Sequence, residues 1–141
     1  MRKLIGICAA GAALGALVLV LAAAPPDAKK IARGKYLVEN VGMCIDCHTP
    51  HLATGELDKN NWLMGTDLGF QPIHPMPMWA KRAPDIAGLP RWSDEAAVKL
   101  MMTGLTPSGS PLRPPMPPYK MNKGDAEAVV AYLRSLKPAG R

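Results

Sequence analysis

Two thiols and an imidazole within five residues, Cys44-Ile45-Asp46-Cys47-His48, constrain this chain more than any other feature. C-x-x-C-H is the attachment motif of c-type haem. Thiols at this spacing on a tight turn reach the two vinyl groups of one porphyrin, and the imidazole of the next residue then lies beneath the iron. The motif occurs once, so the sequence predicts one haem c, covalently held through Cys44 and Cys47. Rival chemistries fit these residues less well. A redox dithiol usually accompanies a βαβ pattern, which the chain lacks. Zinc would use Cys44, Cys47 and either His48 or His51, but a fourth ligand and a second knuckle are missing. A structural cysteine pair leaves His48 without a role.

A bulky apolar cofactor also answers a difficulty in the composition. The chain has a single Phe and as many as fifteen Pro and thirteen Gly. Such a sequence struggles to bury a large core by itself. Its start reads as an address. Met1, Arg2 and Lys3 precede Leu4 to Ala24, which contain no charged or strongly polar residue. Residues 1–24 therefore read as a signal peptide or an N-terminal membrane anchor through residues 4–24, and 25–141 as one domain. Cys8 lies in this leader behind Ile7, whereas a lipid-attachment site wants a small residue there. The expected location is the periplasm or the outer face of the cytoplasmic membrane. Without Arg2 and Lys3 the net charge falls from +6 to about +4, with no long basic run. That balance argues against nucleic-acid binding and for an acidic protein partner.

Periodicity predicts an all-α domain of three to four helices joined by long Pro/Gly-rich loops. Ala28 to Asn40 form a first helix with Ile31, Gly34 and Val38 on one face and Leu37 beside them. A mid-helix Gly costs about 1 kcal/mol relative to Ala, so Gly34 implies a close neighbour. The C-terminal helix offers one: Asn122 caps it, Asp125 lies in its first turn, and Ala126, Val129, Val130, Leu133 and Leu136 form its stripe before Pro138. Another helix runs from its cap at Ser93, through Asp94 and Glu95, with Ala97, Leu100 and Met101 buried, to Gly104. Residues 50–90 and 105–121 read as loops without strand alternation, and loops this long usually serve function.

An iron held by His48 needs a sixth ligand, and nine Met crowd the choice. Met1 goes with the leader, and Met101 and Met102 read as core fillers on their helix. Met43 adjoins the attachment turn and cannot reach the opposite face. Met64, Met76, Met78, Met116 and Met121 remain. Met116 stands in Arg113-Pro114-Pro115-Met116-Pro117-Pro118-Tyr119, where four prolines fix φ and remove four donors. Such an arm presents its thioether at a set position, although it also reads as a rigid linker whose Met merely packs. Met121 competes but adjoins a helix cap. Met76 and Met78, in His74-Pro75-Met76-Pro77-Met78, suit copper or iron as well.

Taken in order around the single C-x-x-C-H, further segments make residues 28 to 138 resemble the class I c-type cytochromes, especially the bacterial domains found alone or in dehydrogenase cytochrome subunits. These are Arg33-Gly34-Lys35-Tyr36-Leu37, Ala83-Pro84-Asp85-Ile86, Trp92-Ser93-Asp94, Pro115-Met116-Pro117 with Tyr119, and Ala131-Tyr132-Leu133-Arg134-Ser135-Leu136. The resemblance implies a small class I cytochrome c fold around one haem, first and last helices crossing near Gly34, and Met116 as distal ligand opposite His48. It implies an electron carrier rather than an enzyme, with redox proteins as partners and no small-molecule substrate. The alternatives are a haem subunit of a larger oxidoreductase, or a ligand-binding, sensor or peroxidase-like haem protein. Dehydrogenase subunits carry several haem motifs, and this chain has one. His48 is expected to donate its second ring proton to a backbone carbonyl or similar acceptor. Trp62 and Trp79 are expected at the haem edges, with a surface or core role as the alternative, and His51 and His74 as polar loop residues. Lys81, Arg82, Arg91, Arg113, Lys120 and Lys123 are expected to surround the exposed edge and steer acidic partners.

Overall fold

The computed structural model describes residues 27–137. The carboxylate of Asp27 caps the first helix, accepting the N–H of Lys29 at 2.9 Å and that of Lys30 at 3.3 Å. Helix α1 spans Ala28–Tyr36. The regular helix expected as far as Asn40 gives way to a π-helical turn, Leu37–Val41, closed by Gly42 N–H on the Leu37 carbonyl at 2.7 Å. One added residue in a turn rotates everything after it by about 100°, which re-aims the chain entering the cysteine turn. Both Leu37 and Val38 are buried by it. Met43 then adopts a left-handed conformation, φ 48°, which separates this turn from the short helix α2, Cys44–His48.

The two later helices start and stop where their residues dictate. Ser93 Oγ accepts Ala96 N–H at 3.2 Å to open α3, Asp94–Thr103, with Asp94 and Glu95 in the first turn. Gly104 closes it at φ 72°, a conformation that glycine adopts without penalty. Asn122 Oδ1 accepts Asp125 N–H at 2.9 Å to open α4, Lys123–Ser135. Leu136 lies beyond α4 in extended backbone, where the sequence stripe had placed it within the helix. Pro138 and residues 1–26, including the leader, lie outside the described residues. Among those described, no helix is long and apolar enough to cross a membrane.

Helices α1 and α4 cross at Gly34, where a Cβ would meet the Ala128 carbonyl oxygen at 1.9 Å and Tyr132 Cβ at 2.8 Å. That contact gives the mid-helix glycine its reason. Around it, Leu37, Val38, Ala128, Val129, Tyr132 and Leu133 form the core, with Leu63, Ala87, Leu89 and Ala97 supplied by loop and α3. Two ion pairs, Lys30–Glu127 at 2.8 Å and Arg33–Asp125 at 2.8 Å, flank the crossing. The fold class is all-α as predicted, but the long loop contains a small antiparallel ladder that alternation did not reveal. Its strands are β1, Thr66–Asp67, and β2, Arg82–Ala83, with Thr66 opposite Ala83 and Asp67 opposite Arg82. Strands of two residues are too short to carry a periodic signal.

Arg134 on α4 fixes the loop that precedes α3. Its guanidinium donates to the carbonyls of Gly88 at 2.7 Å, Leu89 at 3.0 Å and Trp92 at 2.5 Å, and to Asp94 at 2.6 Å. A planar fork reaches four acceptors at once, which an ammonium cannot. Arg134→Lys is therefore expected to lower the unfolding free energy by about 2 kcal/mol, read from guanidinium unfolding of the full chain. A change within experimental error would mean that the loop is held by its apolar contacts alone.

Candidate functional site

One helical turn carries Cys44, Cys47 and His48 together. Both cysteines are half-buried and form no disulfide among the described residues, and His48 is only 5 % exposed. Burial pushes both thiols above their ordinary range, so they stay protonated, the reverse of what a redox dithiol needs. Among the described residues no three His, Cys, Asp or Glu side chains converge as metal ligands would, so zinc finds no donor set.

The histidine is oriented from two sides. Its Nδ1 lies 2.7 Å from the carbonyl oxygen of Pro84. A carbonyl cannot donate, so Nδ1 carries the proton and Nε2 keeps its lone pair. Burial lowers the imidazole pKa, which holds the ring neutral. The backbone supports this arrangement: Gly65 N–H donates to the His48 carbonyl at 2.7 Å, and buried Thr49 Oγ1 accepts Leu63 N–H at 3.1 Å. Gly65, at φ 79°, lies so close to the acceptor strand that a Cβ would sit 2.6 Å from Asp85 N and 2.7 Å from Pro84 C. The acceptor anticipated from sequence is thus Pro84, and Gly65 is the residue that lets it approach. Gly65 was missed because a lone glycine in a long loop carries no local signal of the segment it approaches, Pro84 and Asp85.

Met116 is half-buried on the proline arm, its N–H bound to the Arg113 carbonyl at 3.1 Å. The arm is clipped to the mid-chain loop: Ala80 N–H donates to the Pro114 carbonyl at 2.7 Å, and Arg113 donates to the carbonyls of Met78 and Trp79 at 3.1 and 3.0 Å. It is also tied to the cysteine turn, because Tyr119 donates its hydroxyl proton to the Gly42 carbonyl at 2.5 Å. Burial pushes this phenol up to about 12, so it remains a donor at neutral pH.

Other candidate residues divide. Met121 packs against the core and donates its N–H to the Met101 carbonyl at 3.1 Å. Met101 packs against the core as expected, but Met102 is 37 % exposed and fills no core gap, since α3 turns that flank outward. Met43, Met76 and Met78 are exposed, as are His51 and His74, and Met64 is half-buried. Trp62 packs on the core and donates to the Tyr132 hydroxyl at 3.3 Å, which in turn donates to Glu39 at 2.5 Å. Trp79 stacks edge-on with Phe70, and its indole N–H is buried without an acceptor among the described residues. Three of the six expected steering cations face carboxylates, Arg82 with Asp67, Arg91 with Asp85 and Lys123 with Glu127. Arg113 and Lys120 donate to neutral carbonyls and form no ion pair among the described residues.

A family model described as cytochrome c matches residues 31–137, most of the chain. The chain belongs to the cytochrome c family. Its all-α architecture is the class I cytochrome c fold, and family membership carries with it covalently bound haem c and electron transfer. It is similar to a fructose dehydrogenase cytochrome subunit of Gluconobacter japonicus, 30 % identical over 114 residues covering 74 % of this chain and 21 % of that protein. It is also similar to a diheme cytochrome c-type protein of Cereibacter sphaeroides, 32 % identical over 108 residues covering 72 % of this chain and 34 % of that one. The chain therefore spans between a fifth and about a third of the length of these two relatives.

Proposed function

We propose that this cytochrome c carries one haem, attached through Cys44 and Cys47, with His48 Nε2 and the Met116 thioether as axial ligands. The observation that carries the reading is the buried, neutral His48, whose Nδ1–H is committed to Pro84 and whose Nε2 is left to bind. The orphaned Trp79 N–H fits the same group, because a haem brings two carboxylates that can accept it. A haem held there would supply reversible one-electron chemistry between redox partners. The protein holds both axial side chains on separate, braced segments, so neither position is left open to substrate. Braced ligand segments would also keep rearrangement small when the charge of a bound iron changes.

The partners are redox proteins, and Lys81, Arg113 and Lys120, which pair with no carboxylate among the described residues, favour acidic docking faces. Similarity to a dehydrogenase cytochrome subunit supports a second setting, in which the domain relays electrons within a larger oxidoreductase. Residues 1–24 act as export signal or anchor, and 25–141 work in the periplasm or on the outer face of the membrane. The attachment is tested by extracting the purified protein with acidified acetone. Red colour should stay with the polypeptide, and Cys44→Ser combined with Cys47→Ser should release it. Colour that washes from the unmodified protein would refute covalent attachment.

A further inference from the structure

Tyr119, we infer, is a positioning residue that latches the distal arm onto the attachment turn and so sets how readily the sixth coordination position opens; this rests on the reading of Met116 as that ligand. The proline arm has little means of holding itself in place. Its prolines lack N–H groups, and its other hydrogen bonds run to the mid-chain loop and to α3. Among the described residues, the hydrogen bonds joining residues 105–121 to residues 27–48 all come from Tyr119, whose hydroxyl donates to the Gly42 carbonyl and also meets the Cys44 side chain. Those two stretches bear the groups proposed for opposite haem faces.

The far side of the latch is built to receive the phenol. A Cβ on Gly42 would lie 3.3 Å from the Tyr119 hydroxyl, 3.3 Å from Cys44 Sγ and 3.1 Å from the Leu37 carbonyl oxygen. Glycine there leaves the hydroxyl room beside the cysteine. Gly42 is itself fixed by the π-helical turn through its N–H on Leu37. Tyr119 is three residues past Met116 along a chain whose φ angles proline restricts, so anchoring the phenol limits the excursion of the thioether.

An added ligand must displace Met116, so its apparent affinity scales with the fraction of molecules whose arm has opened. Removing one part-buried hydrogen bond should raise that fraction about tenfold. The test is imidazole titration of the ferric, haem-loaded full chain. Tyr119→Phe should retain attached haem and bind imidazole about tenfold more tightly than the unmodified protein, and Gly42→Ala, which crowds the hydroxyl, should shift affinity the same way. Arg134→Lys, which loosens a region away from the arm, should leave it unchanged. Equal affinities in Tyr119→Phe, Gly42→Ala and the parent would overturn the latch, as would an equal rise in Arg134→Lys. If the parent lacks the sulfur-to-iron charge-transfer band, the Met116 reading fails and takes the latch with it. A parent with the band and an unmoved imidazole affinity in the variants defeats the latch alone.

Discussion

Gly34→Ala is expected to lower the unfolding free energy by about 3 kcal/mol, and Gly34→Val to prevent the folded protein from accumulating. Two effects oppose each other. Alanine favours an isolated helix over glycine by about 1 kcal/mol. Against this, its methyl would enter the Ala128 carbonyl oxygen at 1.9 Å and the carbonyl carbon at 2.5 Å. Backbone atoms of a packed helix cannot rotate away as a flexible side chain would. Relief requires α1 and α4 to separate, which opens the core around Val38 and Val129 and stretches the Lys30–Glu127 and Arg33–Asp125 pairs. The steric term therefore wins. Guanidinium unfolding followed by circular dichroism measures it, with Gly69→Ala as the control, because nothing lies within 4 Å of a Cβ there. The control should move by less than about 0.5 kcal/mol. A Gly34→Ala protein as stable as its parent would mean that the two helices do not meet at this point.

The same glycine marks how far the residues alone could be read. Gly34 was legible because it violates helix propensity in the middle of an otherwise favourable segment, and a violation of that kind asks for a neighbour. The helix caps were legible for a similar reason, since Ser93 and Asn122 each satisfy a donor three residues ahead within the local sequence. Cys44, Cys47 and His48 lie on one turn, so their relation needed no tertiary information. What stayed hidden depends on distant pieces of chain. Pro84 meets His48 across 36 positions and Tyr119 meets Gly42 across 77, and no local pattern encodes either pairing. The π-helical turn was invisible because Leu37, Val38 and Val41 suit a regular helix equally well, and only tertiary burial selects the wider closure. The hydroxyl that accepts the Trp62 indole N–H was hidden in the same way, because Tyr132 is 70 positions away.

Met116→Ala is expected to abolish the sulfur-to-iron charge-transfer band of the oxidised protein and to lower its reduction potential on the order of 0.1 V. A thioether favours the ferrous state relative to imidazole or water, so its loss stabilises the ferric form and the potential falls. The competing methionines give the experiment its discrimination. Met121 packs against the core, and Met121→Ala should cost about 2 kcal/mol of stability while leaving the band in place. Met76→Ala and Met78→Ala truncate side chains that are 44 % and 62 % exposed, and should change neither stability nor spectrum appreciably. The arm itself should survive the Met116 substitution, because its clips through Ala80, Arg113 and Tyr119 do not involve the thioether. A vacant position under an arm that still closes would admit water or a small added ligand, so carbon monoxide should bind the reduced variant rapidly where the parent resists it. If the band survives in Met116→Ala and disappears in Met121→Ala, the sulfur on the iron comes from the residue at the helix cap. The proline arm would then be a brace for the loop at Met78 and Trp79 rather than the carrier of a ligand.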